Sequence, residues 1–251
     1  MKTLIVIPAR LASSRLPNKL LLSETGQTLL QHTYEAAAKS AAADDIVVAA
    51  DDPQIAAAVQ AFGGKVEMTS TEHQSGTDRL AEIAQRRPDV ELFINVQGDE
   101  PEIEAVDIDT AAQLLLGQPA ADMSTLATPI VDFELVSDPA CVKVVFDQQK
   151  RALYFSRSPI PYAREGLDQA RQAVGNQPLY YQHVGLYVYR RETLLELTAA
   201  PRPPAEIAES LEQLRALNLG KQILVGMASQ ASRGIDTLAD YQVFVSRHST
   251  C

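Results

Sequence analysis

Cysteine is scarce in this sequence. The two residues present, Cys141 and Cys251, lie far apart and in no paired spacing. That excludes a disulfide framework and a cysteine-based zinc site, and both read as free thiols of a reducing compartment. Long apolar runs are lacking as well. No stretch reaches the length of a membrane span, and the N-terminal MKTLIVIPAR has neither the apolar length nor the cleavage site of a secretory signal. The expectation is a cytoplasmic chain without membrane association. Net positive charge is also missing: 22 Lys and Arg stand against 32 Asp and Glu, a formal charge of −10. Such a surface repels phosphate backbones and argues against a nucleic-acid partner, while small anions held by local clusters or through a metal remain compatible with it. The glycine patterns of dinucleotide sites and of P-loops do not follow the first strand. His32, His73 and His248 share no metal-ligand spacing, and none is assigned as a ligand.

What is present is a regular alternation of apolar runs and helical patterns. With 251 residues, 46 % of them apolar, the chain fits a single domain spanning 1–251. Strands are expected at Thr3 to Ile7, Asp45 to Ala50, Lys65 to Met68 and Glu91 to Val96. Helices are expected at Leu29 to Ser40, Ile55 to Phe62 and Thr77 to Arg86. This spacing predicts an α/β fold, a mostly parallel sheet with helices on both faces. Later strands are expected at Ser124 to Thr128, Val142 to Phe146, Ala152 to Phe155, Val184 to Tyr189 and Gln222 to Met227. Helices are expected at Arg191 to Thr198, Ala205 to Leu217 and Leu238 to Arg247. The portion near 130–190 is less regular and reads as an insertion that covers a site or builds a dimer contact.

In parallel sheets ligands bind beyond the carboxyl ends of the strands. Two polar segments fall there: the loop from Pro8 to Lys19 after the first strand, and Q-G-D-E-P at Gln97 to Pro101 after the fourth. The first carries Arg10, Arg15 and Lys19, with Ser13 and Ser14, and no carboxylate. Guanidinium forks, a compact ammonium and hydroxyls suit a triphosphate. A solvated basic loop is the plainer alternative.

The loop P-A-R-L-A-S-S-R-L-P-N-K resembles the nucleotide-binding loop of the 3-deoxy-manno-octulosonate (Kdo) cytidylyltransferases. The resemblance continues in order through H-Q-S-G-T-D-R at His73 to Arg79, N-V-Q-G-D-E-P at Asn95 to Pro101 and A-L-Y-F-S-R at Ala152 to Arg157. It extends through H-V-G-L-Y at His183 to Tyr187, L-E-Q-L-R at Leu211 to Arg215 and G-I-D-T at Gly234 to Thr237. It implies a Rossmann-related fold of the nucleotide-diphospho-sugar transferase type. It also implies transfer of CMP from CTP to the anomeric hydroxyl of Kdo, with release of pyrophosphate, for lipopolysaccharide biosynthesis. By the same resemblance Arg10, Arg15 and Lys19 act on the triphosphate. It implies too that Asp99 and Asp236 ligate Mg²⁺, as two ions of which one arrives with CTP. Ser75, Gly76 and Arg79 contact the cytosine. Gln97, Arg157, His183, Tyr187, Glu212 and Gln213 contact the sugar, with Arg157 on its carboxylate. A homodimer is implied as well.

Each residue also has a plainer role open to it. Asp99 can cap a turn, and Asp236 can cap the last helix. Arg157 can serve a structural ion pair. His183 and Tyr187, four apart on one strand face, also fit ordinary core. Glu212 and Gln213 can be solvated helix residues. Asn18 and Leu20 stand where many relatives carry Gly and Pro, and Asn18 restricts φ near the phosphates. Residues 159–178 match no motif. Rival readings are a CMP-sialic acid synthetase, whose loop differs, an amino-Kdo variant, and a nucleotide-binding module without chemistry.

Overall fold

The structure, a computed structural model, describes residues 1–13, 15–231 and 234–248. Ser14 and Cys251 lie outside the described residues. The first four strands are β1 (Thr3–Ala9), β2 (Asp45–Ala50), β3 (Val66–Met68) and β4 (Leu92–Asn95). They alternate with helices α1 (Leu29–Ala37), α2 (Pro53–Ala61) and α3 (Gly76–Arg86), and β1 pairs in parallel with both β2 and β4. Burial of β1 on both faces explains why it reads as an unbroken apolar run. Local chemistry starts each helix. Thr28 caps α1, Asp52 caps α2 with Pro53 at its first position, and Ser75 and Asp78 form a reciprocal capping box on α3.

The later strands are β5 (Met123–Pro129), β6 (Lys143–Phe146), β7 (Ala152–Ser156), β8 (Tyr181–Arg190) and β9 (Ile223–Met227). The sheet order is β3-β2-β1-β4-β8-β5-β9, with β6 and β7 forming a side hairpin joined to β8. Along the main path only β8 runs against its neighbours, because it is antiparallel to both β4 and β5. Ile5 and Ile7 point into one core with α1, α2, the helix α4 (Ala105–Leu116) and α10 (Leu238–His248). Leu4 and Val6 point into a second core with α3, α7 (Arg191–Ala199) and α9 (Gln213–Asn218). The expected mostly parallel sheet with helices on both faces is the fold observed.

Three elements differ from the sequence expectation. Helix α4 fills a stretch to which pattern reading assigned nothing, though Ile108, Ala111, Ala112 and Leu115 are its buried stripe at helical spacing. Between β5 and β8 the chain leaves the main sheet through α5 (Glu134–Ser137), the β6–β7 hairpin and α6 (Leu167–Val174). Strand β8, inside the span expected as an insertion, runs through the centre of the sheet instead. Finally, the single helix expected over Ala205 to Leu217 is two helices, α8 (Pro204–Glu209) and α9. The break falls at Ser210, whose φ of 50° is left-handed.

A buried ion pair holds that break. Glu206 is inaccessible, and Arg215 across the bend donates to both of its carboxylate oxygens at 2.7 and 2.6 Å. Arg215 also donates to the Leu197 carbonyl on α7. Removing one member of such a pair leaves a buried charge without its counter-charge. Glu206→Gln is therefore expected to cost about 3 kcal/mol and to lower Tm by roughly 6–12 °C in thermal denaturation.

Candidate active site

The carboxyl ends of β1, β2 and β3 are in register, Ala9 beside Ala50 and Ala50 beside Met68. The loops after them therefore emerge on one edge, with that after β4 next to them. Pro8, near the end of β1, is the closest point. A Cβ on Gly76 would sit 3.1 Å from the Pro8 ring, and one on Gly98 would sit 3.1 Å from the Pro8 carbonyl oxygen. Glycine at both positions lets α3 and the Gln97–Pro101 loop close onto the first loop. The result is a cleft of about 330 Å³. Its walls carry the cations Arg10, Arg15, Lys19 and Arg79 and the carboxylates Asp99, Glu212 and Asp236. Ser13, Ser75, Gly76 and Gln97 line it as well.

Lys19 is the hub of the cleft. It opens one turn of 3-10 helix, Lys19–Leu21, entered through Asn18 at φ 52°. Asn18 thus takes the left-handed conformation that favours glycine, and asparagine is among the few other residues that adopt it readily. The Lys19 ammonium, nine-tenths buried, contacts Asp99 Oδ2 at 2.6 Å and Asp236 Oδ1 at 3.2 Å. Arg15 reaches the same Asp236 oxygen at 2.8 Å. Arg10 is exposed at the rim. The two aspartates are brought together by backbone, since the Ile235 N–H donates to the Asp99 carbonyl at 2.9 Å. Helix α10 does not draw on Asp236 for its cap. Thr237 Oγ1 accepts from the Asp240 N–H, and the Asp240 carboxylate accepts from Thr237 in return. The Asp236 side chain is left to the cleft.

On the opposite wall, Ser75 Oγ accepts from the Asp78 N–H. Arg79 is largely committed elsewhere. It pairs with Asp51 at 2.8 Å and donates to Thr69 Oγ1 and the Ser70 carbonyl. His73, which lines the cleft, is paired with Glu82.

Of the residues expected on the sugar, Gln97 and Glu212 line this cleft, and Glu212 accepts from Thr77 Oγ1. Gln213, beside Glu212, is buried, and its Nε2 has no hydrogen-bond partner. Asn95, on β4 beside Tyr187, is buried with an equally unpartnered Oδ1. His183 and Tyr187 lie together deeper on β8, their ring centroids 5.3 Å apart, with Phe155 against His183. His183 Nε2 contacts Thr125 Oγ1 at 3.0 Å, and burial pushes its pKa down to about 3. Burial, with Tyr189 and Glu212 nearby, holds the Tyr187 phenol well above its ordinary value. Arg157, His183, Tyr187 and Gln213 are not among the lining residues of the cleft. The Arg157 guanidinium donates to the carbonyls of Pro139 and Glu209, so backbone, not a structural ion pair, holds it. Sequence reasoning passed over Asp51, Asn95 and Gly98. Asp51 carried the signal used for Asp99, a carboxylate at the carboxyl end of a strand.

The cytidylyltransferase family profile matches residues 4–223. The 3-deoxy-manno-octulosonate cytidylyltransferase of Rhodopirellula baltica is 51 % identical over 247 residues, 98 % of each chain. That of Geobacter metallireducens is 45 % identical over 251 residues, 99 % of this chain and 98 % of the relative. Among solved structures, a CMP:2-keto-3-deoxy-manno-octonic acid synthetase complexed with CTP superposes with a TM-score of 0.90 at 43 % identity, covering 98 % of both chains. This chain belongs to the cytidylyltransferase family, in its 3-deoxy-manno-octulosonate branch.

Proposed function

We propose that this protein transfers CMP from CTP to the anomeric hydroxyl of Kdo, releasing pyrophosphate, in the cytoplasm and for lipopolysaccharide assembly. The observation that carries the reading is the convergence of Asp99 and Asp236 on Lys19, with Arg10 and Arg15 at the rim of the same cleft. In the reaction the sugar oxygen attacks the α-phosphorus, the bond from phosphorus to the bridging oxygen breaks, and pyrophosphate leaves with its charge. Arg10, Arg15 and Lys19 hold the β- and γ-phosphates and stabilise that departing charge. Ser13 and Ser14 add hydroxyl donors. Ser75, Gly76 and the wall braced by Arg79 receive the cytosine.

Magnesium fits the donor set. Asp99 and Asp236 offer hard oxygens only, and no group of three or more potential metal-ligating side chains occurs among the described residues. That is the pattern for an ion that completes its shell with water and substrate phosphates. When bound, it screens the triphosphate and lowers the pKa of the attacking hydroxyl.

Gln97 and Glu212 begin the sugar side, and His183, Tyr187, Gln213 and Arg157 continue it away from the phosphates. The unpartnered Gln213 Nε2 supports a polar ligand there, because a buried donor without an acceptor is costly. His183 stays neutral near pH 7, so it serves as a hydrogen-bonding group and takes no proton from the sugar. The protein acts as a homodimer, with the exposed Leu153 and Tyr154 of β7 as apolar contact surface.

Pyrophosphate release with CTP, Mg²⁺ and Kdo tests the reading. Release with sialic acid but not with Kdo would overturn the substrate, and CTP binding without release on any acidic sugar would leave a regulatory module. Asp99→Asn and Asp236→Asn are each expected to lower kcat by about 100-fold or more, with Tm close to that of the parent. His183 ring shifts followed by NMR are expected to show no titration between about pH 5 and 8.

A further inference from the structure

The carboxylate of Asp51, at the end of β2, is spent on two loops that form opposite walls of the cleft. Its Oδ1 accepts from the Leu11 N–H at 2.9 Å, and its Oδ2 takes the Arg79 guanidinium at 2.8 Å. Leu11 sits between Arg10 and Ala12, which both line the cleft. Arg79 carries the connection onward. Its Nη1 donates to Thr69 Oγ1 at 3.0 Å and to the Ser70 carbonyl at 2.8 Å. These residues lead directly into the segment His73 to Gly76, which lines the other wall. The Asp51 N–H also donates to the Ala9 carbonyl, and the Thr69 N–H to that of Ala50. The ends of three strands are thus tied at one nearly buried ion pair, with side-chain exposures of 5 % for Arg79 and 14 % for Asp51.

We propose that Asp51 is a positioning residue for the nucleotide. It holds the phosphate loop and the base-side loop at a fixed separation, acting through Leu11 and Arg79 without touching the substrate. This deepens the reading of the cleft as a CTP site and rests on it. A carboxylate is needed because both partners are donors and one is a buried cation. Asparagine keeps an acceptor for the Leu11 N–H, but its amide NH₂ then faces the guanidinium, and the charge pair is lost. The loops remain in place only loosely, and CTP must order them on binding.

Calorimetric titration of the intact protein with CTP, without sugar and therefore without turnover, separates the possibilities. Parent protein that fails to bind CTP overturns the reading of the cleft itself. With parent binding established, Asp51→Asn is expected to weaken CTP binding about tenfold and to raise KM for CTP by a similar factor, with kcat and KM for the acidic sugar within about twofold. Asp51→Glu, which restores the charge, is expected to recover part of the loss. Asp51→Asn combined with Arg79→Met is expected to be no worse than Arg79→Met alone, since the two act as one unit. Unchanged CTP affinity in Asp51→Asn overturns the proposal, as does a loss shared equally by CTP, sugar and kcat, or strict additivity with Arg79→Met.

Discussion

Two carboxylates, Asp99 and Asp236, converge on one ammonium, that of Lys19. Like charges placed together repel unless a cation lies between them, so the arrangement must be held by the fold around it. Three features hold it. Gly98 permits the Gln97–Pro101 loop to lie against the Pro8 carbonyl. The hydrogen bond from Ile235 to Asp99 brings the segment before α10 alongside. The Tyr241 hydroxyl, on α10, bonds Glu24 just beyond the Lys19 turn, so the helix that follows Asp236 is anchored to the segment that follows Lys19. None of these contacts is chemical machinery, yet each sets the distance at which the machinery meets.

The same edge acquires its second half from strand direction. Because β8 is antiparallel to β4, with Tyr187 opposite Asn95, its first residues extend beyond the carboxyl end of β4. His183 is therefore carried past the end of β4 on a strand, not on a loop, and its position is fixed by pairing with Ala127 on β5. The bend between α8 and α9 brings Glu212 to the cleft from the other side, and the carbonyls of Glu209 and Ser210 at that bend accept from Arg157. One buried ion pair, Glu206 with Arg215, thus stands behind Glu212 and behind the support of Arg157.

Much of this was legible in the sequence, and the parts that were not share a cause. Strands β1, β2 and β4 announce themselves because burial on both faces demands continuous apolar runs. Arg10, Arg15, Lys19 and Asp99 stand in polar segments just after such strands, which have one place to go, whereas Asp236 came only from the resemblance carried by G-I-D-T. The α8–α9 break was not legible. Ser210 is no usual helix breaker, and what bends the chain there is a pair of charges nine residues apart, in a stretch whose local pattern continues as helix. The place of β8 was hidden for a similar reason, since strand order is decided by packing that no local window contains. Arg79 was legible as a cation of the right motif, but its neighbour Asp51 lies 28 positions earlier and redirects it.

That redirection changes the electrostatics of the cleft. Four cations line it, Arg10, Arg15, Lys19 and Arg79. Against them stand the lining carboxylates Asp99, Glu212 and Asp236, with Asp51 just behind the wall. Among the described residues the formal charges of these eight side chains cancel. Arg79 is engaged by Asp51, Lys19 by Asp99 and Asp236, and Arg15, at the exposed rim with Arg10, by Asp236 as well. A pair of hard-oxygen carboxylates, too few to cage an ion by themselves, is the donor set expected where a divalent cation enters on the phosphates and is completed by them. The acidic balance of the whole chain is thus no obstacle to binding a polyanion, because cations are gathered locally on the walls of one cleft.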